Sequence, residues 1–124
     1  SDTETLINAI EIFGLKNTLN LCQGVFSFAL WDKNERELIL ARDKLGEKPL
    51  YYGFNNSIFF FGSDLFPFKK NKYFNAEIDQ KSLNLYFNLN YIPAPYTIYN
   101  NIYKLSGGEY IKISSNWKSF KIRR

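Results

Sequence analysis

Histidine is absent from these 124 residues, and cysteine occurs once, at Cys22. Without histidine there is no Ser-His or Cys-His pair to activate a nucleophile, and the commonest metal ligand is missing. No Cys, Asp and Glu are grouped at metal-ligand spacing either, so no metal site is expected. A lone cysteine excludes an internal disulfide and fits a reducing compartment, which makes a cytoplasmic location the expectation. No apolar run approaches the roughly 18 residues that a membrane span needs. The opening Ser1-Asp2-Thr3-Glu4 is polar and acidic, unlike a signal peptide. Neither a membrane nor a secretory role is expected.

Apolar residues are plentiful, at 45% of the chain, and 19% of the chain is aromatic. That composition supports a packed core and argues against disorder. Phe and Tyr fall in pairs and triplets, which favours strands. The formal net charge is +4, concentrated at Lys69–Lys72 and in Lys118–Arg124. Such patches are compatible with nucleic acid, but no binding motif accompanies them. A solvated basic surface is the expected reading, with no nucleic-acid partner.

The spacing predicts a helix from Ser1 to Gly14. Ser1 and Glu4 form a capping box, Leu6, Ile7, Ile10 and Phe13 make one apolar face, and Gly14 stops the helix. A short second helix is expected over Leu15–Cys22, with Leu15, Leu19 and Cys22 inward. Val25–Trp31 reads as a strand buried on both faces. Strands at Glu37–Ala41, Leu50–Phe54 and Ser57–Phe61 follow, the last two joined by a turn at Asn55-Asn56. Short links between these four strands predict an antiparallel meander. Ser63–Ala76 reads as a linker or surface loop. Asp79 caps a helix over Gln80–Leu89, with Leu83, Phe87 and Tyr91 along one side, and Pro93 and Pro95 end it. Ile98–Leu105 is expected to be irregular. Glu109–Ile113 and Ser119–Ile122 form a last hairpin. The fold class is α+β, mostly antiparallel sheet with flanking helices.

The chain is organised around Ala41-Arg42-Asp43-Lys44-Leu45-Gly46-Glu47-Lys48-Pro49-Leu50-Tyr51-Tyr52. Pro49 fixes its own φ and turns Lys48 away from the helical region, and Gly46 permits a positive φ. The plain reading is a charged turn with one local ion pair. Cys22, at a helix end between Leu21 and Gln23, reads as a buried, inert thiol. Ser106-Gly107-Gly108 starts like a pyrophosphate-binding loop, but the strand-like Glu109-Tyr110-Ile111 follows, so a β-turn is expected.

R-D-x-L-G-x-K-P-L-Y-Y resembles the signature of the glutamine-hydrolysing, N-terminal-nucleophile domain of the asparagine synthetase family. Ser1-Asp2-Thr3-Glu4 is similar to that family's S-D-x-E, and Gly24–Asp32 to G-M-F-A-F-A-L-W-D. Phe61–Asp64 resembles F-A-S-E, Tyr91–Ile98 resembles G-Y-V-P-A-P-x-T-I, and Leu105–Tyr110 resembles L-P-P-G-H-Y. Together the six matches run in order along nearly the whole chain, and as a set they are specific.

The resemblance implies part of an αββα sandwich. It assigns residues 1–66 to the distal part of a glutaminase domain, and residues 67–124 to the end of that domain and the connection towards a synthetase domain. It makes glutamine the substrate and Asp2 the group that holds the glutamine α-amino group. From the residues alone, Asp2 is a helix-start carboxylate favoured by the dipole, and the two roles are compatible. Val25, Glu47 and Lys48 occupy positions bordering the ammonia route, with Arg42 and Asp43 near the interdomain interface. The charged Glu47 and Lys48 depart from the family's usual apolar residues, which leaves a local ion pair as the alternative.

The family's N-terminal Cys, R-H-R-G-P-D and N-G-E-I-Y-N segments are not among these residues, nor is a synthetase domain with its ATP and Mg. The expectation is therefore a fragment of a glutamine-dependent asparagine synthetase, with no catalytic residue or cofactor of its own and no activity alone. Exposed edges should lead to aggregation, a homodimer or strand swapping unless the rest is supplied. The competing expectations are a non-catalytic assembly module pairing through strands and an amidotransferase acting on another carboxylate.

Overall fold

In the computed structural model, residues 1–116 are described in full, together with the backbone of the strand 119–123. Helices α1 (Asp2–Phe13) and α2 (Leu15–Leu21) lead into strands β1 (Ser27–Asp32), β2 (Glu37–Arg42), β3 (Tyr51–Asn55) and β4 (Ile58–Gly62). Helices α3 (Phe66–Lys70) and α4 (Gln80–Leu89) follow, then β5 (Ile102–Lys104), β6 (Glu109–Ser114) and β7 (Ser119–Arg123). The class is α+β.

The four early strands do not form one meander. They split between two antiparallel sheets, ordered β1-β2-β6-β7 and β4-β3-β5. β2 pairs with β6, Leu40 opposite Ile111, while β3 pairs with β5, Gly53 opposite Ile102. The chain changes sheets at the Arg42–Pro49 bend. Sequence spacing shows that two strands are consecutive; it does not show whether the bend between them closes a hairpin or crosses a core.

Side-chain alternation builds the layers. Leu38 and Leu40 on β2 and Ile111 and Ile113 on β6 pack against Leu50, Tyr52, Phe54, Phe59 and Leu105, forming the core between the sheets. The opposite face of the first sheet, through Ala41, Tyr110 and Phe28, packs on Leu15 and Leu19 of α2. The outer face of the second sheet, through Phe60 and Ile102, packs on Phe68 of α3 and on Phe74. The order is therefore helix, sheet, sheet, helix. Each fully buried Leu or Ile in these clusters contributes about 1.5–3 kcal/mol by leaving water.

Several local expectations need correction. Ser63–Ala76 is not a plain linker: Phe68 and Phe74 anchor it to the sheet, and Pro67 sits at the start of α3, where its missing N–H costs nothing. Asn55 stays in the strand, and the two-residue turn is Asn56-Ser57, both at positive φ. The buried Asn55 amide exchanges two hydrogen bonds with the Asn75 backbone, 2.8 and 2.6 Å, stapling that segment down. Ile102–Lys104 is a strand rather than irregular chain. The strand expected from Val25 starts at Ser27, and β1 is an edge strand covered on one face only: Trp31, and Val25 just before the strand, are more than half exposed.

Both main helix caps follow the sequence: Ser1 accepts from Glu4 N and Asp79 from Ser82 N. However, no residue of α1 is buried, and Ile7 and Phe13 of its apolar face are exposed, as is Ile12. The Phe87–Tyr91 side of α4 is exposed as well. Among the described residues no helix is long and apolar enough to cross a membrane. The basic side chains of Lys118–Arg124 lie outside the described residues, whereas Lys70 and Lys72 lie over the Phe66 and Tyr73 rings.

Gly53 is required by a close backbone approach. A Cβ there would lie 1.9 Å from the Asn101 carbonyl oxygen. Gly53→Ala should force β3 and β5 apart and destabilise the protein by about 3 kcal/mol or more; a shift in the urea midpoint at unchanged slope would measure it.

Candidate functional site

The Arg42–Pro49 bend is held from within. Arg42 Nε donates to the Lys48 carbonyl at 2.7 Å, and its two terminal nitrogens donate to the carbonyls of Leu105 and Gly46. The Asp43 carboxylate accepts from the backbone N–H groups of Glu47 and Lys48, each at 3.0 Å. Its backbone N–H donates to Phe26, and its carbonyl accepts from Gly46 and Gly108. Both side chains are buried, Asp43 to within 1% of full burial. The two charges thus bind backbone groups of the bend and its neighbours, which is more than the plain charged turn anticipated. Arg suits this role because its fork of donors is rigid and always charged.

The turn at Ser106–Glu109, closed by Glu109 N–H donating to the Ser106 carbonyl, is the β-turn expected. It presses against the bend: a Cβ on Gly107 would meet the Lys44 carbonyl at 2.8 Å, and one on Gly46, at φ +68°, would meet Gly107 at 3.2 Å. Glycine at both positions allows the two loops to touch.

Burial of Asp43 opposes its charge, but the backbone N–H groups of Lys48 and Glu47 outweigh that and hold its carboxyl below the usual range. Asp79, at the cap of α4, is likewise lowered, chiefly by the Ser82 hydroxyl.

A concave surface runs alongside this bend. An open cleft of about 530 Å³ lies between α1, α2 and the approach to β1, with Asp2, Leu6, Phe13, Thr18, Cys22 and Val25 among its lining. A second hollow of about 320 Å³ is lined by Cys22, Gln23, Gly24, Val25, Lys44, Leu45 and Glu47. Cys22, Gln23 and Val25 line both, so the two are continuous. Asp2, Val25 and Glu47 therefore border one surface. Arg42 and Asp43 lie behind it as its support, and Lys48 is outside both linings. Asp2 is exposed at the first turn of α1, where the helix dipole favours its carboxylate.

Cys22 is not the fully buried thiol expected: it is half-buried at the C-terminus of α2 and forms wall where the hollows meet. Lys44, Leu45, Gln23 and Thr18 also line the surface without having been singled out. The spacing of Cys22 after Leu15 and Leu19 signalled an inward face, but only the docking of α2 on the sheet shows that this face ends in a cleft. Among the described residues no group of three Cys, Asp or Glu is placed to hold a metal ion.

A family model for a glutamine amidotransferase domain matches residues 1–122. The chain is 34% identical over 107 residues to a Methanocaldococcus jannaschii protein provisionally named asparagine synthetase [glutamine-hydrolyzing] 2, covering 85% of this chain and 21% of that protein. It is 32% identical over 113 residues to asparagine synthetase [glutamine-hydrolyzing] 1 of Bacillus subtilis, covering 91% and 18%. A shorter match, 46% identical over 52 residues, covers 42% of this chain and 8% of Amidase chry2 of Gibberella zeae. The chain spans about one fifth of the length of the first two relatives.

Asp43→Asn should cost about 2–4 kcal/mol, because it puts an NH2 donor where one of the two accepting carboxylate oxygens faces a backbone N–H, and removes the charge. The Asp43 pKa is lowered on folding, so its contribution is complete above the unfolded value near 3.8 and disappears as pH falls through the folded value. Urea midpoints should therefore fall below about pH 4 in the wild type, and less steeply in the variant.

Proposed function

This chain belongs to the glutamine amidotransferase domain family, and from that premise we propose that its cleft is the distal wall of a glutamine-hydrolysing site. The observation that carries the reading is that Asp2 and Val25 line one cleft, which continues past Cys22 to Glu47. Asp2 offers an exposed carboxylate at the mouth, suited to pairing with the α-ammonium of glutamine. Val25 and Glu47 border the surface along which ammonia leaves, and Lys48 sits beside it. Arg42 and Asp43 keep the bend that carries Glu47 and Lys48 in place.

Cleaving the glutamine amide requires an attacking nucleophile and preorganised donors for the oxyanion. Cys22 has no histidine to activate it, and it is not the proposed nucleophile. In this reading the attacking thiol and oxyanion donors come from residues beyond these 124, as do the sites for ATP and Mg. The whole enzyme is then a cytoplasmic glutamine-dependent asparagine synthetase, a ligase whose N-terminal-nucleophile domain includes residues 1–66 and whose connection to the synthetase domain lies within 67–124. Ammonia released at the first site amidates aspartate at the second.

A second reading has support from exposed apolar surface. Trp31 on the edge strand β1 is 51% exposed and Phe13 of α1 is 53% exposed. Such surfaces suit pairing with another chain, including a second copy, as an assembly module.

The 124-residue chain alone should release no ammonia from glutamine above background; turnover would overturn the division of labour. In the longer protein, Asp2→Asn should raise KM for glutamine about 100-fold, the loss of a charge pair worth about 2–3 kcal/mol. Synthesis driven by added ammonia should be unchanged. An unaltered glutamine KM would remove Asp2 from the site and favour the assembly reading.

A further inference from the structure

On the far side of the second sheet from the core, Lys104 at the end of β5 occupies a cleft of about 290 Å³. Its walls include Tyr51 of β3, Tyr86 of α4, and Tyr91, Ile92 and Tyr96 from the segment after α4. No carboxylate lines this cleft, and among the described residues Lys104 has no acidic partner within ion-pair distance. The ammonium lies over the Tyr51 ring, 5.8 Å from its centroid, and donates one long hydrogen bond, 3.4 Å, to the Ile92 carbonyl. Two of its three donors have no partner assigned to them by this geometry. Burial lowers the Lys104 pKa, and the nearby Arg42 guanidinium lowers it further. Asp64 acts on the Tyr51 phenol but does not line the cleft.

A half-buried cation without a counter-ion is an unfavourable arrangement that an anion would relieve. The rest of the lining says which anion. Tyr86, Tyr91 and Tyr96 are each 46–60% exposed on the rim and surround the one charge. Aromatic rings prefer an offset or edge-on aromatic partner 4.5–7 Å away. The volume is near the lower limit for small-molecule sites and suits about one ring with a short side arm.

We infer that this cleft binds a small single-ring aromatic carboxylate, with the carboxylate against the Lys104 ammonium and the ring among the tyrosines. The site is separate from the Asp2 cleft, and the inference does not depend on the glutaminase reading.

Isothermal titration of the protein at pH 7 with 3-phenylpropanoate tests it. Saturable binding with a Kd of about 1 mM or tighter is expected. The uncharged 3-phenylpropanamide and the ring-free hexanoate should each bind at least about tenfold more weakly, since one lacks the ion pair and the other the stacking. Lys104→Met should reduce acid binding to the level of the amide. Tyr91→Ala, at a rim side chain 60% exposed, leaves the core untouched and should weaken the aromatic acid while sparing hexanoate. No saturation by about 10 mM, or equal affinity for acid and amide, would overturn the inference. Equal affinity for the aromatic acid and hexanoate would overturn it as well.

Discussion

Where the chain passes from one sheet to the other, two buried charges hold it in place. Arg42 takes up the carbonyls of Gly46, Lys48 and Leu105, while Asp43 takes up the N–H groups of Glu47 and Lys48. A crossing of this kind leaves backbone groups without ladder partners, and burying them unpaired would cost about 1–3 kcal/mol each. The two side chains supply those partners. Leu105 also ties in through its N–H to the Leu50 carbonyl at 2.9 Å. The bend, the end of β5 and the turn before β6 are thus joined at one point, and the two sheets meet there in a fixed relation.

The cleft follows from that arrangement. Its far hollow is lined by Lys44, Leu45 and Glu47 from the bend and by Cys22–Val25 from the approach to β1. The Asp43 N–H to the Phe26 carbonyl, 2.9 Å, fixes these two segments against each other. The near hollow adds α1, which is capped but buries none of its residues. The cleft therefore has one wall set by buried charge and close glycine contacts, and one wall supported by local helix interactions. Helix α1 is the element whose position depends least on the core, since an exposed helix of 12 residues is marginal without tertiary packing.

Sheet coverage is uneven as well. The β2–β6 centre of the first sheet is covered on both faces, by α2 on one and by β3 to β5 on the other. β1, beside the cleft, keeps Trp31 uncovered on the face that β2 uses for the core. Trp31 is thus exposed on the face of the first sheet opposite the one on which α2 and the cleft lie. On the outer face of the second sheet, the rings of Phe60, Phe68, Phe74 and Tyr99 meet edge-on or tilted, with neighbouring centroids 5.2–6.0 Å apart, and close that layer.

Local pattern alone determined both helix caps, the apolar cores of β2, β4 and β6, and the β-turn at Gly107-Gly108. Each depends on interactions within a few residues, where side-chain type and spacing carry the information. Tertiary structure decided which strands became neighbours. It turned Asn55 from a turn residue into a staple for Asn75 and made Ile102–Lys104 a strand by giving it β3 as a partner. It also withdrew Arg42 and Asp43 from the surface into the join between sheets. Those outcomes depend on groups tens of residues apart meeting across a core, and no period in the chain encodes which distant carbonyl a guanidinium will find.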